Sequence, residues 1–339
     1  MVDRQSSVEP EPRPSPVCTI AIPVYNREEL VRGAIESALA HTRPDIRVLV
    51  IDNCSTDDTY EVAKSYQTDP RLDVVRNESN LGLFGNFNRC LELSTGDYVC
   101  ILCSDDRHRP GFIDAAIAAM EANPTAGIVT GRQRMIDERG NFLRVEADHL
   151  KPGLYDGREA IKAFLRFQSH YAFNIFSLPS GCLFRKSVVS QTDPFLKEWQ
   201  IVGDVELYLR MLERSDVAAI DVEGVDVIYH MGQEWALNYG DPTRTKEHLF
   251  LVERYKDLLG PSLYRRCVAQ TCAILMALAV KHRLKGRKQA AKDHMALARS
   301  QNIGAMARWL ALIRLVYYRA MFRAFRYRSL PIRPKGANP

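Results

Sequence analysis

The chain has 339 residues, enough for one large core or two modest ones, and its 46% hydrophobic and 26% charged residues are those of a globular protein. Its eight cysteines lie mostly inside apolar runs, without the dense spacing of a disulfide scaffold or the ligand clusters of a zinc site, so they read as reduced core thiols. The net charge of +5 is unevenly spread: of 46 basic residues 15 fall in 281–339 against one acid, Asp293, leaving 31 basic and 40 acidic residues elsewhere, a split that points the tail toward an anionic surface, membrane or nucleic acid.

Residues 1–16, "MVDRQSSVEPEPRPSP", alternate proline with charge and lack the apolar centre of a signal peptide, so a disordered leader is expected. From Val17 apolar strands alternate with helical patterns. "VCTIAIPVY" is followed by Leu30, Val31, Ala34, Ile35, Ala38 and Leu39 at helical spacing, then by the strand "IRVLVID" and a polar helix near 57–67. A short strand "LDVV", a helix near 84–94, the strand "DYVCILC", a helix over about 110–122 and the strand "AGIVTG" complete the series. The alternation predicts an α/β fold with a parallel sheet covered on both faces, because parallel neighbours need crossover connections. After Gly131 come a hairpin around "DERGN", a loop-rich stretch to about 180, the strand "GCLFRK" and a helix from Val205 to about Glu213. Beyond Thr243 the pattern is nearly all helical. The longest apolar run, Cys272 to Val280, is about half of the roughly 20 residues that cross a bilayer and reads as a packed helix.

Ligands in open α/β sheets bind beyond the carboxyl ends of the strands. Four such ends carry polar residues: "IPVYN", "IDNCSTDD", "RNESNLG" and "CSDD". Each has a local reading too: Asn26 with Glu29 makes a capping box for the first helix, Ser55 or Asp57 caps the second, and "SNLG" makes a turn. Their common placement along one edge favours a polar ligand. Asp105 and Asp106 are the sharpest signal. Two carboxylates about 4 Å apart repel by roughly 4 kcal/mol at an effective dielectric of 20, a cost that a divalent cation or a polyol reverses. With so few carboxylates the ion expected is Mg²⁺ or Mn²⁺ bridging substrate phosphates. Neither G-x-x-x-x-G-K-[ST] nor a G-x-G-x-x-G after the first strand is present, which argues against a P-loop or dinucleotide site. Cys100 and Cys103 make C-x-x-C, but residues three apart on a strand point to opposite faces and are not expected to share a metal. Asp204 falls just before the helix expected from Val205, at its cap, where the dipole keeps a carboxylate ionised; Glu206 lies about 200° around the axis and faces elsewhere. Capping and general-base roles both fit Asp204.

"TIAIPVYNREELVRGAIESAL", "VLVIDNCSTDDT", "NLGLFGNFNRCLELSTGDYVCILCSDD" and "GDVELYLRM", in that order, resemble the inverting glycosyltransferase family 2 of GT-A fold, bacterial polysaccharide and rhamnosyl-type members included, over roughly residues 17 to 235. The resemblance implies a GT-A fold, a mostly parallel sheet covered by helices, with a C-terminal helical extension. It implies a nucleoside diphosphate sugar donor, UDP- or dTDP-linked, and a divalent metal, Mn²⁺ or Mg²⁺. Pro23, Tyr25 and Asp52 would line the base and ribose pocket, with Asn80, Gly82 and Asn88 nearby. Asp105 would reach the ribose or the metal, Asp106 would bind the metal, and His230 loosely matches a histidine that approaches diphosphate or metal in some members. Asp204 matches the catalytic base. Departures are visible as well: the usual D-D-G-S reads Asp52-Asn53-Cys54-Ser55, the frequent Arg-Asn pair reads Phe87-Asn88, and the usual Glu-Asp pair reads Gly203-Asp204.

The expected layout is a leader 1–16, a catalytic domain 17–242 with a nucleotide half 17–130 and an acceptor half 131–242, a basic helical extension 243–328 and a tail 329–339. In the extension Arg308, Arg319, Arg323 and Arg326 fall within an arc of about 60° on a helical wheel, while Trp309, Leu310, Ile313, Tyr317 and Met321 take much of the other side. That pattern suits peripheral contact with a membrane, placing the protein in the cytoplasm at the inner face with a lipid-linked or saccharide acceptor. A helix packed on the catalytic domain, whose net charge is acidic, is the competing expectation. Nucleotide-sugar binding without turnover and transfer to a soluble acceptor are the alternatives. Nucleic acid is not expected as a partner, since no recognition motif or stacking platform accompanies the basic tail.

Overall fold

The structure, a computed structural model, describes residues 16–147, 149–171, 174–229, 241–324 and 332–336. Four strands, β1 (Cys18–Val24), β2 (Ile46–Asp52), β3 (Leu72–Arg76) and β4 (Tyr98–Ile101), pair in parallel in the order β3-β2-β1-β4. Helices α1 (Val31–Leu39), α2 (Thr59–Lys64) and α3 (Leu83–Leu93) supply the crossovers. Because side chains alternate across a strand, Ile20, Ile22, Val48 and Val50 pack with Ile35 and Ala38 of α1, whereas Ala21, Leu49 and Ile51 pack with Phe84 and Phe87 of α3. Both faces are buried, which is why these strands are unbroken apolar runs.

The chain continues through β5 (Asp106–His108), α4 (Phe112–Ala122), β6 (Ala126–Asp137), β7 (Phe142–Glu146), β8 (Gly153–Tyr155) and α5 (Gly157–Tyr171). A 3-10 turn at Pro179–Gly181 leads into β9 (Cys182–Arg185), α6 (Lys186–Ser190), α7 (Gly203–Leu212) and β10 (Asp216–Tyr229). The sheet order is β3-β2-β1-β4-β9-β6-β10-β5, with β7 on β6 and β8 on β10. β9 runs antiparallel between β4 and β6, β6 and β10 are parallel, and β5 is antiparallel on β10. The expected hairpin forms at β6–β7, where the Asp137 carboxylate accepts the N–H groups of Arg139 and Asn141.

Two elements depart from the expected pattern. The stretch expected to be loop contains α5, an amphipathic helix whose Ala160, Ile161, Phe164, Leu165 and Phe167 are buried while Arg158, Glu159, Lys162 and Arg166 line its outer face. β10 was not expected, and its register against β6 shifts between Ala219 and Val225, so its side chains do not keep a clean period of two.

Four helices close the chain: α8 (Thr243–Arg254), α9 (Lys256–Leu284), α10 (Lys288–Ser300) and α11 (Ala305–Ala324). α9 bends at Gly260, whose φ of 69° only glycine adopts without strain, and Pro261 opens the straight part. By length and composition α9 is apolar enough to cross a membrane, but half of its most apolar window is buried inside the fold. Leu251, Val252, Tyr255, Cys267, Cys272 and Leu275 share one core with α5 and α7.

The crevice forms where strands part. β1 stays paired with β2 as far as Val24 and Asp52, but its pairing with β4 ends at Ala21 and Ile101. Pro23, which has no N–H to give, lies in the stretch that β4 no longer accompanies.

Candidate functional site

Beyond β4 the chain turns through Cys103–Asp106, with the Asp106 N–H bonded to the Cys103 carbonyl at 3.0 Å, and enters β5, where Asp106 pairs with Val227 of β10. Asp106 is 2% exposed. Its Oδ2 accepts the Ser180 hydroxyl at 2.5 Å, while its Oδ1 has no hydrogen-bond partner. The same Ser180 oxygen accepts the Cys103 N–H at 3.0 Å, so one hydroxyl holds both ends of the turn. Burial, and then the charge of Asp105, push the Asp106 carboxyl well above the usual range, and the Ser180 bond only partly offsets this. Sγ of Cys103 and one carboxylate oxygen each from Asp105 and Asp106 lie within 4.8 Å of one another. An orphaned buried oxygen among acidic donors is what a divalent cation relieves, so the carboxylates of Asp105 and Asp106 fit Mg²⁺ or Mn²⁺. Cys100, by contrast, stays inside β4 and faces His108, 3.5 Å away, whereas Cys103 is past the strand, so the alternation of faces expected for the two thiols does not apply.

Two histidines lie beneath. Nε2 of His108 donates to the Ser180 carbonyl at 3.0 Å, which leaves Nδ1 to accept from Nε2 of His41 at 3.3 Å. Burial, with the His41 ring adding to it, pushes the His108 imidazole down to about 3, and burial lowers His41 as well. The pair is neutral and supports the 3-10 turn that carries Ser180.

Asp204 is not a cap. α7 begins at Gly203 with Val202 as its N-cap, so Asp204 lies inside the first turn. The segment leading into α7 is held by Glu247 of α8, whose carboxylate accepts the N–H groups of Gln200 at 2.7 Å, Ile201 at 3.1 Å and Val202 at 2.9 Å. Burial pushes the half-buried Asp204 carboxyl up to about 6 against the pull of the Val205 N–H and of Arg244. Its charge reaches the turn after β4: burial raises the Cys103 thiol well above its ordinary value, and the charges of Asp106, Asp105 and Asp204 all add to this. Asp105 and Asp106 thus stand beside the thiol, and Asp204, from a distant stretch, lies within reach of their common field. Glu206 faces elsewhere, as helical spacing requires; 1% exposed, it pairs with Arg210 through two 2.7 Å bonds and with Arg254 at 3.0 Å.

The other strand ends are tied by asparagines. Asn53 donates to Oδ1 of Asn80 at 2.9 Å and accepts from Asn77 at 3.0 Å and from the Leu81 N–H at 2.9 Å; Asn77 also donates to Asn86, whose amide reaches the Ile51 carbonyl. Oδ1 of Asn80 further accepts the Gly82 N–H, shaping the turn in which Gly82, at φ 74°, starts α3. Asp52 is fully buried, paired with Arg76 at 3.2 Å and accepting the Ser55 N–H, so it anchors the turn that follows it. Cys54 in that turn has φ 65°, the reason the family pattern carries glycine there. Asn26 forms no capping box: α1 begins at Val31 without a side-chain cap, and Asn26 accepts the Thr56 N–H at 2.9 Å instead. Asp57 does accept the Thr59 N–H at the start of α2. Tyr25 is 42% exposed at the end of β1, with Pro23 buried behind it. Asn88 spends both amide atoms on the Phe195 backbone, donating at 2.8 Å and accepting at 2.7 Å, and so clamps the segment leading to α7. His230 lies outside the described residues.

Two departures from the family pattern meet at Phe84. A Cβ on Gly203 would lie 2.5 Å from Cζ of Phe84, and Phe84, Phe87 and Phe195 form an aromatic cluster with centroids 5.4–5.9 Å apart. The family's glutamate and arginine positions are both absorbed by this packing, so no unpaired charge is left behind. A cavity of about 310 Å³ opens beside the cluster, lined by Leu81, Gly82, Lys197, Trp199 and Gln200 among others; none of the three carboxylates lines it. Ser180 and Glu247 escape sequence reasoning, because each acts on an element far away in the chain and neither carries a local signature.

The model of Glycosyl transferase family 2 matches residues 19–192. The putative teichuronic acid biosynthesis glycosyltransferase TuaG of Bacillus subtilis is 29% identical over 124 residues, 36% of this chain and 49% of TuaG; the chain thus spans about half the length of this curated relative. Among solved structures, S. aureus TarS 1-349 in complex with UDP-GlcNAc superposes with a TM-score of 0.56 at 14% identity, covering 84% of this chain and 91% of that one. The mannosyltransferase PcManGT from Pyrobaculum calidifontis, in complex with GDP-Man and Mn²⁺, gives 0.54 at 16% identity over 94% and 85%. These two likenesses establish the GT-A fold.

Proposed function

Since the chain belongs to glycosyl transferase family 2, we propose that this glycosyltransferase moves a sugar from a UDP- or dTDP-linked donor to an acceptor hydroxyl with inversion at the anomeric carbon, and that Asp204 is its base. The observation that carries the reading is the Asp105–Asp106 pair clustered at the end of β4, with the orphaned Oδ1 of Asp106 and with Asp204 close enough for its charge to be felt at Cys103. Asp204 takes the proton of the acceptor hydroxyl as its oxygen attacks, a role worth about 10²- to 10⁴-fold. Asp106, with Asp105, holds the Mg²⁺ or Mn²⁺ ion, which when bound supplies positive charge where the diphosphate leaves. The edge from Pro23 and Tyr25 to Asn80 and Gly82 is assigned to the nucleotide and His230 to the diphosphate by resemblance alone, with Asp52 and Asn88 acting through the turn and the segment that they anchor. Arg244 of α8 stands in the field of Asp204 and Glu146 and brings a cation that position 87 lacks. The nucleotide sugars in TarS and PcManGT support the donor class, and the Mn²⁺ in PcManGT supports the ion.

We assign the acceptor to saccharides or lipid-linked saccharides of cell-surface polysaccharide assembly, a reading that the name of TuaG supports. α11 adds to it. Ala311 packs against Ala273 and Ile274 of α9, while Met306, Trp309, Leu310, Ile313 and Val316 form a stripe between 56% and 76% exposed. This stripe of α11 is thus exposed, while Ala311 and Leu312 pack on α9, so the helix also meets the competing expectation of packing on the body of the protein. Such a face suits the interface of the inner membrane leaflet, with the enzyme on the cytoplasmic side. The side chains of Tyr317, Arg319, Met321 and Arg323, and residue Arg326, lie outside what the structure describes.

A screen of nucleotide sugars by thermal shift, with and without Mn²⁺, identifies the donor. Asp204→Asn is then expected to abolish transfer while keeping donor binding; unchanged transfer removes Asp204 from its role, and donor binding without transfer in the wild type favours a binding protein. For the membrane reading, Trp309→Asp with Ile313→Asp is expected to release the protein from phosphatidylglycerol vesicles, and indifference of the wild type to such vesicles defeats it.

A further inference from the structure

The acid pair has a neighbour of different chemistry. Cys103 follows β4 directly, its N–H is fixed by Ser180, and its Sγ stands with carboxylate oxygens of Asp105 and Asp106 inside a 4.8 Å cluster. Oδ1 of Asp106, in a residue 98% buried, points to a missing partner at the same place. Six of the eight cysteines are buried, and Cys103 and Cys54 are the half-buried ones. Cys54 turns toward the Glu78 carbonyl at 3.8 Å, so Cys103 is the thiol that accompanies the acids.

We infer that the Cys103 thiol is a third protein ligand of the cation held by Asp105 and Asp106, and that it tunes the site toward borderline ions, Zn²⁺ and Co²⁺, at the expense of Mg²⁺. A set of two carboxylates alone is hard and suits Mg²⁺ or Mn²⁺; one sulfur donor added to it raises affinity along the series toward Co²⁺ and Zn²⁺. On coordination the thiol gives its proton to solvent and binds as thiolate. The inference rests on the same acid pair as the proposed function, but binding alone tests it.

The full chain, stripped of metal, is titrated with Co²⁺ while the near-ultraviolet thiolate-to-metal charge-transfer band is followed, and Mn²⁺ and Mg²⁺ are added as competitors. A saturable band is expected in the wild type and in Cys54→Ser, and none in Cys103→Ser. Zn²⁺ affinity of Cys103→Ser is expected to fall by at least about tenfold, with Mg²⁺ affinity kept within about twofold. In case the variant folds poorly, zinc-edge absorption of the wild-type protein is measured too, and a sulfur neighbour at about 2.3 Å is expected. A wild-type protein without the band or the sulfur neighbour, or a band that survives Cys103→Ser, overturns the inference. The band in a protein that transfers no sugar leaves the thiol ligand standing and sinks the proposed function.

Discussion

The hydroxyl of Ser180, on the turn before β9, donates to Oδ2 of Asp106 on β5 at 2.5 Å and joins two segments 74 residues apart. Neither residue is placed by its own neighbours in sequence. The sheet order, in which β9 lies next to β4 and the return through β10 carries β5, sets them face to face.

Ser180→Ala therefore takes from a buried carboxyl its side-chain partner. The loss is expected to cost about 1–3 kcal/mol of stability, read from urea unfolding of the metal-free protein. Divalent-ion affinity is expected to drop about 10- to 100-fold by Mn²⁺ titration, since a partner that orients a ligand is lost. An unchanged Mn²⁺ affinity shows that Ser180 does not orient Asp106.

Asp204 titrates at about 6 in the folded chain against an ordinary 3.8. A base must be ionised, so kcat/KM is expected to fall as pH drops through about 6. Stability runs the other way. The folded state holds this proton more tightly than the unfolded one, so the group's contribution is full below about pH 4 and lost as pH rises through about 6. Asp204→Asn is expected to gain on the wild type over that window, as judged by urea midpoints; parallel curves contradict the raised carboxyl.

Glu247→Ala leaves the N–H groups of Gln200, Ile201 and Val202 without their shared acceptor. Hydrogen bonds to a charged group are worth about 1.5–3 kcal/mol, and a loss of that size is expected in chemical unfolding. Because those amides lead into the turn that carries Asp204, kcat is expected to fall more than donor KM rises. A change confined to donor KM places Glu247 on the nucleotide side.

Gly203→Ala brings a Cβ to 2.5 Å from the Phe84 ring. Overpacking of this kind costs about 1–3 kcal/mol. Phe84→Leu in the same chain is expected to restore part of the melting temperature. Full stability of the single variant shows that the ring yields freely, and that the missing glutamate has another cause.

Much was legible along the chain. The runs from Val17 to Gly131 name their strands, because a residue buried on both faces of a parallel sheet has to be apolar, and "IRVLVID" coincides with β2 end to end. Asp105 and Asp106 declare themselves by adjacency alone. Strand β10 did not show, since register shifts break its period of two; helix α5, by contrast, carries the helical period, with Arg158, Lys162 and Arg166 along its outer face, and the expectation of a loop passed over it.

Sequence by itself determined the layered α/β fold, the edge where polar residues collect and the identity of the three carboxylates, all of which follow from local pattern or from short quoted motifs. Only tertiary structure decided which groups serve them. Ser180 holds Asp106, Glu247 ties down the segment that leads to Asp204, Phe84 fills the place of an absent glutamate, and Cys103 stands beside the acid pair. Each of these is a contact between residues far apart in the chain, and a hydrogen bond or a van der Waals contact depends on distance in space, which spacing along the chain does not reveal.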